Sequence, residues 1–223
     1  NEKVVVCLHG NLASSQNWDI LLPKLEGEFN VIAVDLRGFG RSSYHNKIKD
    51  LRDFAEDIES FLEAKQLDKA TFFGDFLGAG IALLLAIRKP EIVEKLILMG
   101  PISSKGFSHK LEGVEDPQPE DFLKDQTVNM IHSALVNKNT EFFAEALSEP
   151  MKGGKGELDE ERLSKYLEDI FLCRAYLDVL YAMARFNIST EPNELVEGTG
   201  EIEKVQANTL ILQGEHDKLE SAE

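Results

Sequence analysis

The stretch TFFGDFLGAGIALLLAIRKP, residues 71–90, constrains the fold more than any other part of the chain. It starts with threonine and two phenylalanines, turns glycine-rich, and continues as a mostly apolar run ending in Arg88, Lys89 and Pro90. That order predicts a strand, a sharp turn and a helix in immediate succession. The basic pair suits the negative end of a helix, and the proline stops it. A strand feeding straight into a helix is the start of a βαβ unit, whose crossover is right-handed.

The same grammar recurs along the chain. KVVVCLHG is a continuous apolar, β-branched run of the kind that forms a strand buried on both faces. NVIAVDL predicts a second buried strand, KATFFG a third, VEKLILMG a fourth and ANTLILQG, residues 207–214, a fifth. Between the first two, SQNWDILLPKLEGEF predicts a helix capped by Ser15 or Asn17. Leu51, Phe54, Ala55, Ile58, Phe61 and Leu62 fall at helical spacing, with Asp50 placed to cap them. Alternating strands and helices specify an α/β fold with a mostly parallel, doubly wound sheet. About a hundred residues between the fourth and fifth strands carry only helical signals. The expected organisation is therefore a core at 1–102 and 205–223 with a helical cap at 103–204, inserted over the carboxyl ends of the strands.

Charge narrows the partners. Forty acids against 24 lysines and arginines give a net charge of −16. This argues against nucleic acid and against an anionic membrane surface. The chain shows no leader and no apolar run near the ~20 residues of a membrane span, so a cytoplasmic protein is expected. Cys7 and Cys173 lie in apolar runs and are expected as buried reduced thiols. No His, Cys or carboxylate cluster has metal spacing, and no dinucleotide fingerprint follows a strand, so neither metal nor cofactor is expected. MKGGKGE lacks the phosphate-loop frame and is expected to be a surface turn or hinge.

LHGNLASSQNWDILLPKL, VIAVDLRGFGRSS, the glycine turn at 74–80 and TLILQGEHD occur in an order that resembles the α/β-hydrolase superfamily, over nearly the whole chain. The segment RFNISTEPNELVEGTGEIEKVQANTLILQG is similar to bacterial intracellular esterases related to short-chain polyhydroxybutyrate depolymerases. The resemblance implies a nucleophile on a strained turn between Gly74 and Gly78, at position 76. It implies an oxyanion hole from the backbone N–H groups of Asn11 and Leu77, and it makes Asp217 the carboxylate that orients a histidine. The implied chemistry is hydrolysis of small carboxylic esters through an acyl-enzyme.

The chain departs from that pattern. Phe76 stands at the nucleophile position, and its benzyl group has no nucleophilic atom. The chain ends at Glu223, so a histidine following one more strand is not in the sequence, and the start also reads as shortened. Asp75 is one position too early for a nucleophile and is expected as an elbow or ion-paired carboxylate. His9 is expected to be structural. His216 adjoins Asp217 in sequence, which does not make a catalytic hydrogen bond, and His45, His109 and His132 are expected on the surface or in the cap. Asp35 and Arg37 are expected to fix their loop, and Trp18 either to line the pocket mouth or to be buried. Two functions remain open: a hydrolase-family protein that is inactive as written, or a catalytically dead member binding a small apolar or ester ligand, or a protein partner, under its cap.

Overall fold

A computed structural model describes residues 3–107, 111, 114–151, 159–215 and 217. His109, His216, residues 152–158 and residues 218–223 lie outside the described residues, and with them the expected glycine-lysine turn. Five strands form one parallel sheet: β1 Val4–Leu8, β2 Asn30–Val34, β3 Ala70–Asp75, β4 Val93–Met99 and β5 Asn208–Leu212. Their order is β2-β1-β3-β4-β5, so β1 and β3 are central. Val6 faces Ile32 on one side and Phe72 on the other, and Ile97 is flanked by Phe73 and Leu210. β1 is buried along its whole length, as its unbroken apolar run predicts. β2 is only half-buried, contrary to expectation, because it lies at the sheet edge.

Helices cover both faces. α2 (Leu51–Ala64) begins at Asp50, whose side chain accepts from Arg52 N–H while the Asp53 side chain accepts from Asp50 N–H. These reciprocal bonds satisfy donors that the first helical turn leaves open. Leu51, Phe54, Ala55, Ile58 and Leu62 are buried on its inner face. α3 (Leu77–Arg88) is buried on all sides over its first ten residues. The opposite face is covered by a smaller cluster in which Trp18 meets Phe73 edge-on, ring centroids 5.2 Å apart. Trp18 is therefore a core residue.

The single helix expected after β1 is instead a 3-10 turn at Ser15–Trp18 followed by the short α1 (Leu22–Leu25). Pro23 has no N–H to donate back to Asp19, so the helix cannot run through. The cap of the first turn is Ser14, whose hydroxyl oxygen accepts from Gln16 N–H, while Asn17 accepts from Ser14 N–H.

Between β4 and β5 the chain forms α4 (Gln126–Val136), α5 (Thr140–Met151), α6 (Glu160–Ile170) and α7 (Tyr176–Arg185). α4 to α6 share a satellite cluster around Ala134, Phe143 and Ile170. α7 joins the main core through Val179, Leu180, Ala182 and Met183. Polar ties hold this insertion to the core. Asp19 accepts from Arg162 Nε at 2.7 Å and from Tyr166 Oη at 2.8 Å, and Ser14 donates to Asp169. Among the described residues no helix is long and apolar enough to cross a membrane.

Candidate active site

The turn from β3 into α3 is strained at the residue the sequence singles out. Phe76 has φ +43° and ψ −100°, a region that side chains with a Cβ rarely adopt. Both ends of the turn are pinned. Phe76 N–H donates to Met99 O at 3.1 Å, and Phe76 O accepts from Ala79 N–H at 3.1 Å and Gly80 N–H at 3.2 Å. Gly78 lets α3 press against β1: a Cβ there would lie 2.1 Å from the Leu8 carbonyl oxygen. Gly74, in β3, is held against Ala79, where a Cβ would lie 2.6 Å from its backbone nitrogen. The Phe76 ring meets the Phe107 ring edge-on at 5.5 Å between centroids. Phe107 lies beyond β4 and carried no signal in the sequence.

The β1 end supplies the second wall. His9 is fully buried and its proton position is fixed by its neighbours. Nε2 accepts from Leu36 N–H at 3.0 Å, so Nδ1 carries the hydrogen and donates to Gly10 O at 2.8 Å. Burial pushes its pKa down to about 4, against smaller upward pulls from the Gly10 carbonyl and the Asp35 charge. This histidine is a neutral structural strut and cannot serve as a base toward a ligand. Asn11 follows Gly10 in the same turn, and its Oδ1 accepts from Leu12 N–H at 3.0 Å. Leu77 is the first residue of α3, where backbone N–H groups have no acceptor within the helix.

Asp217 and Asp75 close the third side. Asp217 lies beyond β5, and its Oδ2 accepts from Gln213 Nε2 at 3.0 Å. Asp75 ends β3, and its carboxyl lies against Gly10, where an added Cβ would be 2.8 Å from Oδ2. Of the two roles expected at Asp75, an elbow carboxylate or an ion-paired one, the ion pair is not formed with any described residue, and the residue stands at the strand end that leads into the turn. Burial, and then the nearby Asp217 charge, push its pKa up to about 6. The Asp217 charge reaches Asp75 because β4 alone separates β3 from β5. That sheet order was the missing information in the sequence.

The other candidates fall where structural roles put them. Asp35 accepts from Ser15 N–H at 2.8 Å and Arg41 N–H at 2.9 Å. Burial alone would raise its pKa, but the Arg41 and Ser15 donors hold it below the usual carboxylate range. Arg37 pairs with Asp57, Nε to Oδ2 at 2.8 Å, and not with Asp35. Cys7 and Cys173 are both free thiols; Cys7 is buried as expected, but Cys173 is only half-buried, and desolvation pushes each up to about 12. Cys173 sits between α6 and α7 and not within a helix.

A family model described as alpha/beta hydrolase fold matches residues 3–222. The 2-hydroxymuconate semialdehyde hydrolase of Pseudomonas sp. (strain CF600) is 36% identical over 116 residues, covering 50% of this chain and 40% of that protein. The enol-lactonase from Burkholderia xenovorans LB400 superposes with a TM-score of 0.73 at 15% identity, covering 100% of this chain and 76% of its own. An esterase from Exiguobacterium antarcticum superposes with a TM-score of 0.72 at 20% identity, covering 100% and 77%. The chain spans about half the length of the curated relatives it matches.

Proposed function

The chain belongs to the alpha/beta hydrolase fold family, and from that premise we propose a protein of esterase descent whose ester chemistry is silenced at the elbow. The observation that carries this reading is Phe76, strained at φ +43° and packed on Phe107. The elbow keeps its architecture and has lost its nucleophilic atom. In the ancestral mechanism a serine at 76 would attack the acyl carbon, and the N–H groups of Asn11 and Leu77 would hold the oxyanion. Asp217 would orient the histidine that takes the serine proton. Loss of the nucleophile in a serine hydrolase lowers kcat by ~10⁶-fold, and an oxyanion hole with binding alone retains only ~10³–10⁴ over water.

A second reading, binding of a small apolar or ester ligand at the elbow beneath the helical cap, is favoured by the Phe76–Phe107 pair. Two aromatic rings at the end of the sheet make an apolar floor with no reactive group.

Hydrolysis of p-nitrophenyl butyrate by the complete protein and its Phe76→Ser variant tests the proposal. The native protein is expected to show no turnover above background, and the serine variant to gain it. Native turnover that survives Phe76→Ala overturns the silenced elbow. Absence of turnover in both proteins would mean that Phe76 is not what silences ester hydrolysis and overturns the proposal.

A further inference from the structure

A cavity of about 330 Å³ lies away from the elbow, between the loop after β2 and the helical insertion. None of its lining residues belongs to the turn at 74–80, the loop at 9–12 or Asp217. One wall comes from α4, where His132, Leu135 and Val136 share a face at i, i+3 and i+4. The opposite wall comes from the start of α7, where Tyr176 is buried and Leu177 lies beside it. The His132 and Tyr176 rings are nearly parallel, 21° between planes and 6.5 Å between centroids. The walls are thus aromatic and aliphatic.

The charged groups on this cavity are unequally engaged. Asp178 is buried; it accepts from Tyr44 Oη, and Lys47 Nζ lies 3.7 Å from its Oδ1. Its charge is met within the protein. Arg174 is the opposite case. Arg37, Arg52, Arg88, Arg162 and Arg185 each pair with a carboxylate. Arg174 pairs with none among the described residues, in a chain carrying 40 acids. Its Nη2 is held by the carbonyl oxygens of Gly40 and Ser42. Each bidentate face of a guanidinium, Nε with Nη2 or Nη1 with Nη2, includes Nη2, so these carbonyls leave Nε and Nη1 as separate donors, each able to give a carboxylate oxygen one charge-assisted hydrogen bond. Glu120, exposed on the lining, is the one acid there with no cation against it among the described residues.

We propose that this cavity is a binding site for a small aromatic carboxylate, with its carboxylate on Arg174 and its ring between the α4 and α7 walls. The volume sits at the small end of ligand pockets, about 300–1,000 Å³, which suits a single substituted ring. The site goes beyond the elbow reading and does not depend on it.

Calorimetric titration of the complete protein with benzoate, and with neutral benzamide as the control, tests the proposal. Benzoate is expected to bind at least ~10-fold more tightly than benzamide. Arg174→Gln is expected to remove that preference and leave benzamide unchanged. Because Arg174 also holds the loop at 40–42, a second variant leaves it in place. Val136→Trp, at an exposed position, is expected to fill the cavity and abolish binding of both probes with circular dichroism unaltered. Glu120→Gln is expected to tighten benzoate a few-fold by removing a like charge at ordinary salt. Benzoate that fails to bind at roughly 10 mM overturns the site. So does a preference that survives Arg174→Gln, or binding that survives Val136→Trp and is lost in Phe76→Ala, which would put the ligand at the elbow.

Discussion

β1 and β5 are five-residue, largely apolar strands, VVVCL and NTLIL, and each runs into a loop that carries site residues. β1 leads to Gly10 and Asn11, β5 to Asp217. Every residue of β1 is buried and every residue of β5 is exposed, with Leu210 at 53% and Ile211 at 59%. Composition does not separate them; neighbours do. β1 pairs on both edges and is sandwiched between two apolar clusters, whereas β5 pairs with β4 alone among the described residues. Among the described residues the site therefore has one flank set in close-packed backbone and one flank set on a strand paired along a single edge. Packing density on the first is what leaves no room for a methyl group.

Two glycines break this comparison most sharply. Gly78→Ala drives a Cβ to 2.1 Å from the Leu8 carbonyl, a backbone atom with β1 hydrogen-bonded on both sides. Neither partner can yield, so a loss above ~3 kcal/mol or failure to fold is expected. Gly214→Ala, on the β5 flank, places a Cβ 3.8 Å from its nearest neighbour and is expected within ~0.5 kcal/mol of native. Urea midpoints decide. Equal losses at the two positions would mean the flanks do not differ. Next in size come matched leucines. Leu8→Ala, at 0% exposure, is expected to lose about 2–5 kcal/mol by cavity formation, and Leu210→Ala under ~1 kcal/mol. A Leu210→Ala loss as large as that of Leu8→Ala in thermal or urea unfolding would show that β5 is covered in solution.

The sequence made the strands legible because short β-branched runs between turns admit few other structures. α2 was legible to its first residue, since Asp50 and Asp53 bracket a clean apolar stripe. A glycine-rich turn after β3 was legible in the residues, and position 76 was singled out through the resemblance of Gly74-Asp75-Phe76-Leu77-Gly78 to the family's turn; its φ of +43° is where the strain falls. One failure was local, the helix expected after β1, and the others needed information from outside each segment. The helix expected at 15–29 gave way to Pro23, a local signal overridden by the surrounding apolar residues. β2 is half-buried because it is an edge strand, and edge position is a property of strand order. The reach of the Asp217 charge to Asp75 also depends on strand order, through β4. Phe107 reaches Phe76 across a turn that has no periodicity to read.

Asp75 sits between the two flanks, against Gly10 on one side and near Asp217 on the other, and its titration gives the subtlest test. Its folded pKa of about 6 exceeds the ordinary carboxylate value of 3.8. The folded chain thus binds more protons than the unfolded one between about pH 4 and 6. The destabilisation is absent below about pH 4, grows through that window and is complete above about pH 6, on the order of 2–3 kcal/mol. His9 has the opposite sign. Its folded pKa of about 4 lies below the ordinary 6.5, so its stabilisation is present above about pH 6.5 and is lost as pH falls toward 4, on the order of 3 kcal/mol. In the native protein the two nearly offset each other on acidification. Asp75→Asn removes one side of that balance. The variant is expected to be more stable than native at pH 7, to match it near pH 4, and to lose stability steeply in between. Urea midpoints at several pH values from 4 to 7 measure this directly. Parallel curves for the two proteins would mean that the Asp75 carboxyl is solvated, and that the close-packed flank at Gly10 does not reach as far as the carboxyl pair.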